Sequence, residues 1–242
     1  MAIHKLKTGV PGLDDILKGG LREKAAVLVS GGPGCGKTIL AMQFLLEGAK
    51  SGQAGLCILY DTEKEEFLEY AEFLGITLKK YEKNGLITVM KRPTLVKKFV
   101  SLAEPLELIQ KKKIKRVVLD SLTMYSYVHV GEEKDYRKEI ISLLDSMKNV
   151  TFLATDQSQM FTIDEAKFEA EYFLFDGLIM LTKVRSGASF ERVMTVAKMR
   201  GQDHLMDIFP FSIGNGGVQV YPTQLPFSLI RGDVVQKGIR QK

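Results

Sequence analysis

Long apolar runs are missing from this chain. The longest, such as Ala25–Val29 and Phe173–Phe175, fall far short of the roughly 20 residues that a bilayer-spanning helix needs, so no membrane insertion is expected. The stretch from Met1 to Lys7 holds no apolar segment of the kind that directs secretion, and a cytoplasmic location is expected. Cysteine is scarce. Cys35 lies in a glycine-rich loop and Cys57 in an apolar run, an arrangement that argues against a structural disulfide. Internal repeats, low-complexity tracts and long linkers are also lacking, and nothing marks a second domain. Nor is the charge extreme. The formal net charge of +5 is compatible with nucleic acid without arguing for it. Its cationic blocks, Lys111–Arg116 and Lys91-Arg92 with Lys97-Lys98, read as solvated helix ends.

What the 242 residues do contain is 45% hydrophobic and 26% charged, the balance of a globular protein able to bury a sizeable core. Short apolar runs alternate with helical stretches. Strands are expected at Ala25–Ser30, Gly55–Tyr60, Leu86–Met90, Arg116–Asp120, Thr151–Thr155 and Gly177–Leu181. Helices are expected at Ile39–Lys50, Glu65–Leu74, Leu95–Gln110 and Tyr136–Met147. Strand–helix alternation implies crossovers and a mostly parallel sheet flanked by helices. From about Gly177 the helical pattern stops. Gly177–Val184, Arg192–Lys198, Asp207–Ser212 and Gly217–Tyr221 read as strands joined by turns, so the α/β domain should finish in antiparallel hairpins.

The strongest chemical signal is Gly31-Gly32-Pro33-Gly34-Cys35-Gly36-Lys37-Thr38, which follows an apolar strand and opens an amphipathic helix at Ile39. Glycine lets successive backbone amides curl round an anion, and the helix N-terminus adds positive potential. In such a P-loop Lys37 reaches the β- and γ-phosphates of ATP and the Thr38 hydroxyl binds Mg²⁺. Lys115–Asp120 supplies the expected second half: an apolar strand ending in Asp120, which can hold the Mg²⁺ through water. Hydrolysis also needs a group that orients water. The acidic run Asp61-Thr62-Glu63-Lys64-Glu65-Glu66 lies where a strand should end. Glu65 and Glu66 suit the first turn of the next helix. That leaves Glu63 as the candidate base and Asp61 as second choice, the two sharing a face if the strand persists.

Beyond these motifs, Thr8-Gly-Val-Pro-Gly-Leu-Asp14 with Gly19-Gly20, Tyr60-Asp-Thr-Glu63 and Leu119-Asp-Ser-Leu122 resemble the RecA/RadA recombinase superfamily. Lys198-Met-Arg-Gly201 with His204, Pro210-Phe211 and Gly216-Gly-Val-Gln-Val-Tyr-Pro222 is similar to the C-terminal half of a KaiC domain. The resemblance spans about Thr8 to Pro222. It implies a single-domain, archaeal-type KaiC-like or RadA-paralogue ATPase with a RecA-like P-loop core over about residues 8–222 and a basic tail over 223–242. It also implies a homo-oligomer, as a ring (a hexamer among the forms) or a filament, with ATP between protomers.

In that arrangement Lys198 and Arg200 would reach the γ-phosphate held by a neighbour, with His204 at the same interface. Residues two apart on a strand point to one side, so both cations project together and Met199 faces away. Thr155-Asp156-Gln157 occupies the sensor position, where Gln157 would sense the γ-phosphate. Adjacent glutamates, usual in KaiC domains, are replaced here by Asp61-Thr62-Glu63. No paired Ser/Thr autophosphorylation site is visible, so no kinase activity is inferred.

The reading that follows is a slow Mg-dependent ATPase whose nucleotide state switches the binding of a still unknown protein partner. Two others compete with it: a DNA-binding recombination accessory protein, and an ATP-dependent scaffold with little hydrolysis. The DNA reading is disfavoured because Phe161–Glu171, where recombinases bind single strands, carries Asp164, Glu165, Glu169 and Glu171 against Lys167 alone.

Overall fold

The computed structural model describes residues 4–92, 102–129, 133–157 and 170–227. Residues 161–169 of the acidic stretch, Lys97, Lys98 and the end of the basic tail therefore lie outside the described residues. The chain opens with a small antiparallel pair, β1 (Lys5–Leu6) and β2 (Leu21–Arg22), around a four-residue helix α1 (Leu13–Ile16). Then follow β3 (Ala26–Gly31), α2 (Lys37–Lys50), β4 (Gly55–Leu59), α3 (Lys64–Phe73), α4 (Leu78–Lys83), β5 (Ile87–Lys91) and α5 (Ala103–Lys111). After these come β6 (Arg116–Asp120), α6 (Leu122–His129), α7 (Glu133–Met147), β7 (Thr151–Gln157) and a 3-10 helix over Ala170–Phe173. The last elements are β8 (Gly177–Ser186), β9 (Ser189–Met199), β10 (Phe209–Gly214) and β11 (Gly217–Val220).

These strands form one nine-stranded sheet in the order β11-β10-β9-β8-β3-β7-β6-β4-β5. From β8 to β5 every pairing is parallel, and β9, β10 and β11 add antiparallel strands at the other side. The expected α/β sheet with C-terminal antiparallel hairpins is therefore present. β8 belongs to the parallel block, where it pairs with β3 from Val27–Gly177 to Gly31–Leu181.

Strand alternation divides the core into two layers. Val27, Val29, Cys57, Leu59, Val118 and Leu153 face the layer holding α2. Leu28, Leu56, Ile58, Val117, Leu119, Phe152 and Ala154 face the layer with Leu122, Ile140 and Leu143 of α6 and α7. Both cysteines are buried and free, as expected without a disulfide. Among the described residues no helix is long and apolar enough to cross a membrane.

Two cations expected on solvated helix ends are instead interior. Arg92 is 8% exposed and pairs with Glu104 at 2.8 Å. Arg116 is 1% exposed. Its guanidinium donates to the carbonyls of Lys7 (2.7 Å) and Phe44 (3.0 Å) and to Gln53 Oε1 (2.9 Å), and it sits 4.6 Å from the Phe44 ring centroid. Burial pushes its pKa down to about 10, against the pull of Glu47 and Asp14, so it stays charged at neutral pH.

Arg116 thus ties the N-terminal segment to α2 and β6. Gly48 makes room for it, since a Cβ there would lie 2.4 Å from Arg116 Cδ. Gly48→Ala is expected to destabilise by about 1–3 kcal/mol, although alanine favours a helix by up to about 1 kcal/mol over glycine. The shift in the urea midpoint measures this. An unchanged or raised midpoint would show that Arg116 is free to move aside.

Candidate functional site

β3 ends at Gly31 in the middle of the sheet, and the chain turns through residues 32–36 into α2. Gly31 must lack a side chain because a Cβ would stand 2.3 Å from the Leu181 carbonyl oxygen of β8. Gly36, the N-cap of α2, has φ +96°, and its Cβ would strike Ile213 Cδ1 at 2.8 Å. No side chain caps α2, so its first amides face the loop, as anion binding requires.

Lys37, the first residue of α2, folds back so that its ammonium donates to the carbonyls of Gly31 (2.8 Å) and Gly32 (3.0 Å). Burial lowers its pKa, while Cys35, Asp120, Asp156 and Asp61 pull the other way. A second lysine, Lys183 of β8, donates to the Pro33 carbonyl at 3.2 Å and stands beside Gly34.

Asp120 ends β6, two strands from β3, and is 6% exposed. Thr38 Oγ1 donates to its Oδ2 at 2.9 Å and Thr155 Oγ1 to its Oδ1. Burial raises its pKa, with both hydroxyl hydrogen bonds opposing that rise. A buried carboxylate beside a threonine hydroxyl at a helix N-terminus is a hard oxygen donor set of the kind Mg²⁺ takes together with phosphate and water. The residues present fit that ion.

The acidic run is placed differently from expectation. β4 ends at Leu59, so Asp61 and Glu63 do not share a strand face. The chain bends through residues 60–62, with Glu63 as the N-cap of α3. Glu63 is turned outward: its carboxylate is 68% exposed and pairs with Lys91 at 3.2 Å. Asp61 accepts from Ser121 Oγ at 2.8 Å, next to Asp120, and it acts electrostatically on both Asp120 and Lys37. Lys91 Nζ holds the loop from the other side through the carbonyls of Tyr60 (3.2 Å) and Thr62 (3.3 Å).

Gln157 stands opposite Gly31 at the end of β7, its backbone N–H donating to Thr123 Oγ1 at 2.9 Å. Asp156 beside it is buried on the opposite face from Asp120 and accepts from Thr123 Oγ1 at 2.7 Å.

A cavity of about 270 Å³ opens beside the P-loop, walled by Ile39, Tyr70 of α3, Arg192 of β9 and Ile213 of β10. Ile39, Tyr70 and Ile213 offer apolar surface that suits a nucleotide base, and a guanidinium plane such as that of Arg192 can stack on one. Arg192 Nε is buried there with no hydrogen-bond partner among the described residues. Sequence reasoning missed this wall and Lys183. Their residues come from distant segments and carry no motif.

Lys198 and Arg200 lie elsewhere. Lys198 pairs with Leu178, three residues below the Leu181 level at which β3 reaches Gly31. That is roughly 10 Å down the sheet and two strands aside, at about 4.8 Å per strand. Lys198 Nζ donates to the carbonyls of Phe175 (2.6 Å), Tyr172 (3.2 Å) and Phe173 (3.3 Å), and Arg200 also donates to Phe173 (2.8 Å). The two cations share a side, and Met199, 6% exposed, faces the other layer. Burial and the neighbouring Arg200 lower the Lys198 pKa. His204 is partly buried with its Nε2 unpaired among the described residues. Gln157 stands beside the P-loop, whereas Lys198 and Arg200 are remote from it.

Strand, glycine-rich loop and helix, with a buried aspartate beside the loop's threonine, define a P-loop protein with a RecA-like core. A family model described as ATPase: KaiC matches residues 6–225, and the chain belongs to that KaiC family. A UPF0273 protein of Pyrococcus horikoshii is 30% identical over 252 residues, spanning 96% of this chain and 99% of its own. The circadian clock oscillator protein KaiC of a Nostoc species is 30% identical over 235 residues, covering 91% of this chain and 44% of the clock protein. The crystal structure of a KaiC-like protein from Pyrococcus horikoshii superimposes with a TM-score of 0.78 at 28% identity, covering 91% of this chain and 100% of that one. Membership of this ATPase family supports ATP binding.

Proposed function

We propose that this protein binds Mg-ATP and hydrolyses it slowly at interfaces between copies of itself, acting as one cytoplasmic ATPase domain whose nucleotide state switches a partner interaction. The observation that carries this reading is the separation of two half-sites. A complete phosphate cradle stands at the C-terminal end of β3, and the paired cations Lys198 and Arg200 stand at the opposite end of the sheet. Cations so placed serve a phosphate only if it belongs to a neighbouring chain. A head-to-tail contact that repeats in this way closes into a ring or extends as a filament.

In this mechanism the amides of residues 32–38 and the N-terminus of α2 hold the phosphates, and Lys37 leaves the Gly31 and Gly32 carbonyls to meet them. Thr38, with Asp120 through water, would hold Mg²⁺, which would supply neutralisation of charge on the β- and γ-phosphates. Asp61 is the carboxylate best placed to orient water, and Gln157 reads the γ-phosphate beside it. The base packs between Tyr70, Ile213 and Arg192. Lys198 and Arg200 of the adjacent copy neutralise charge that develops on the γ-phosphate, with His204 at the same contact.

Replacing Lys37 by Ala tests the cradle. Loss of one charge-assisted phosphate contact should cost about 2–3 kcal/mol, roughly 30- to 150-fold in affinity. Titration of folded Lys37→Ala protein with a fluorescent ATP analogue reads this out, with Thr38→Ala as the Mg²⁺-dependent counterpart. Affinity equal to that of the wild type would remove the P-loop from the mechanism.

A further inference from the structure

Tyr172 is tied to both half-sites. It is 2% exposed and closes the 3-10 helix together with Phe173. Its phenol is 2.8 Å from Ser30 Oγ, on the residue that precedes Gly31, and 3.4 Å from Asp156 Oδ2. Its own carbonyl accepts from Lys198, and the carbonyl of the next residue accepts from both Lys198 and Arg200. The span suits one side chain. Ser30 stands at the Met180 level of β8 and Lys198 at the Leu178 level, two residues or roughly 7 Å apart.

We infer that Tyr172 is the positioning residue that ties each chain's Lys198 and Arg200 to its own phosphate-binding strand. The inference rests on the reading of those cations as fingers that act on a neighbour's nucleotide. Three features support it. The phenol is the polar end of an otherwise apolar layer that includes Phe175 and Phe152, so its hydrogen bonds fix the ring's depth. Lys198 has to surrender three carbonyl acceptors to reach a phosphate, so the placement of those carbonyls sets how readily it leaves. At the other end, Ser30 is bonded through the backbone to Gly31, whose carbonyl holds Lys37, and Asp156 lies within electrostatic reach of Lys37. Movement of Lys37 onto a phosphate therefore alters the surroundings of the Tyr172 phenol, and through its backbone the acceptors of the finger.

The test uses Tyr172→Phe, which keeps the buried ring and removes the hydroxyl, and Ser30→Ala, which removes the same bond from the other end. Each is expected to leave KM for ATP unchanged and to lower kcat about three- to tenfold, the worth of one neutral hydrogen bond. The double variant should fall by less than the product of the two single losses, because both remove the shared Tyr172–Ser30 bond and each loses only its own long contact to Asp156 besides. A purely structural tyrosine would change the melting temperature without this split.

The location of the effect is read in mixed assemblies. A reference mixture combines Lys37→Ala chains, which donate fingers, with Arg200→Ala chains, which donate P-loops. In the second mixture the finger donor also carries Tyr172→Phe, or Ser30→Ala if Tyr172→Phe does not fold. A three- to tenfold lower kcat in the second mixture supports the inference. Equal kcat in two active mixtures overturns it alone. An inactive reference mixture overturns the shared-site reading and the inference with it.

Discussion

Asp61→Asn is expected to lower ATP turnover by roughly 10²–10⁴-fold, the usual cost of losing a general base, while nucleotide affinity stays near that of the wild type. The expectation rests on position. Asp61 is bonded to Ser121 beside Asp120, and it faces the charges of Lys37 and Asp120. Lys91 holds the peptide groups on either side of it, which fixes the loop without neutralising the Asp61 carboxylate in an ion pair. Glu63 is the control. Its carboxylate is 68% exposed and paired with Lys91, and surface pairs of this kind contribute about 0–1 kcal/mol.

Glu63→Gln should therefore change turnover by no more than a few-fold. Single-turnover hydrolysis, set beside a nucleotide titration of the same proteins, separates the two carboxylates. Near-normal turnover in Asp61→Asn with a large loss in Glu63→Gln would return the role to Glu63. It would also mean that the loop rearranges when nucleotide binds.

The placement of Asp61 and Glu63 shows where sequence reasoning reaches its limit here. The P-loop was legible because every requirement lies within one continuous stretch: an apolar strand, glycines where side chains collide, a lysine and a threonine opening a helix. Asp120 was legible because a buried strand that ends in a carboxylate is also local. The acidic run was not, because its geometry depends on whether β4 stops at Leu59 or continues. Pairing with β5 and β6 decides that, and the composition of the run does not. Arg116 misled for a related reason. It ends a lysine-rich block, yet it begins a buried strand, and its partners are carbonyls from residues 7 and 44. The cavity beside the P-loop needs α3, β9 and β10 brought to one place, which no spacing announces. By contrast, the shared side of Lys198 and Arg200 follows from strand periodicity alone. What that periodicity could not reveal is that the pair stands at the end of the sheet remote from its own P-loop.

That remoteness leads to the second large effect. Arg200→Ala is expected to lower turnover by on the order of 10³-fold, the lower range for loss of an arginine finger, while its own P-loop still binds nucleotide. Lys37→Ala should be nearly inactive for the opposite reason, with an intact finger and a damaged cradle. If each site is built from two chains, a freely exchanged equal mixture restores activity. An intact cradle from an Arg200→Ala chain meets an intact finger from a Lys37→Ala chain at about a quarter of the interfaces, because each head-to-tail contact draws its two sides independently. Turnover in the mixture should therefore approach about a quarter of the wild-type rate, far above either variant alone. Wild-type turnover per chain should also rise with protein concentration through the range in which native mass reports assembly. The alternative is that Lys198 and Arg200 only fasten residues 172–175 within their own chain. In that case both variants stay inactive when mixed, and wild-type turnover per chain is flat from dilute monomer to assembled protein.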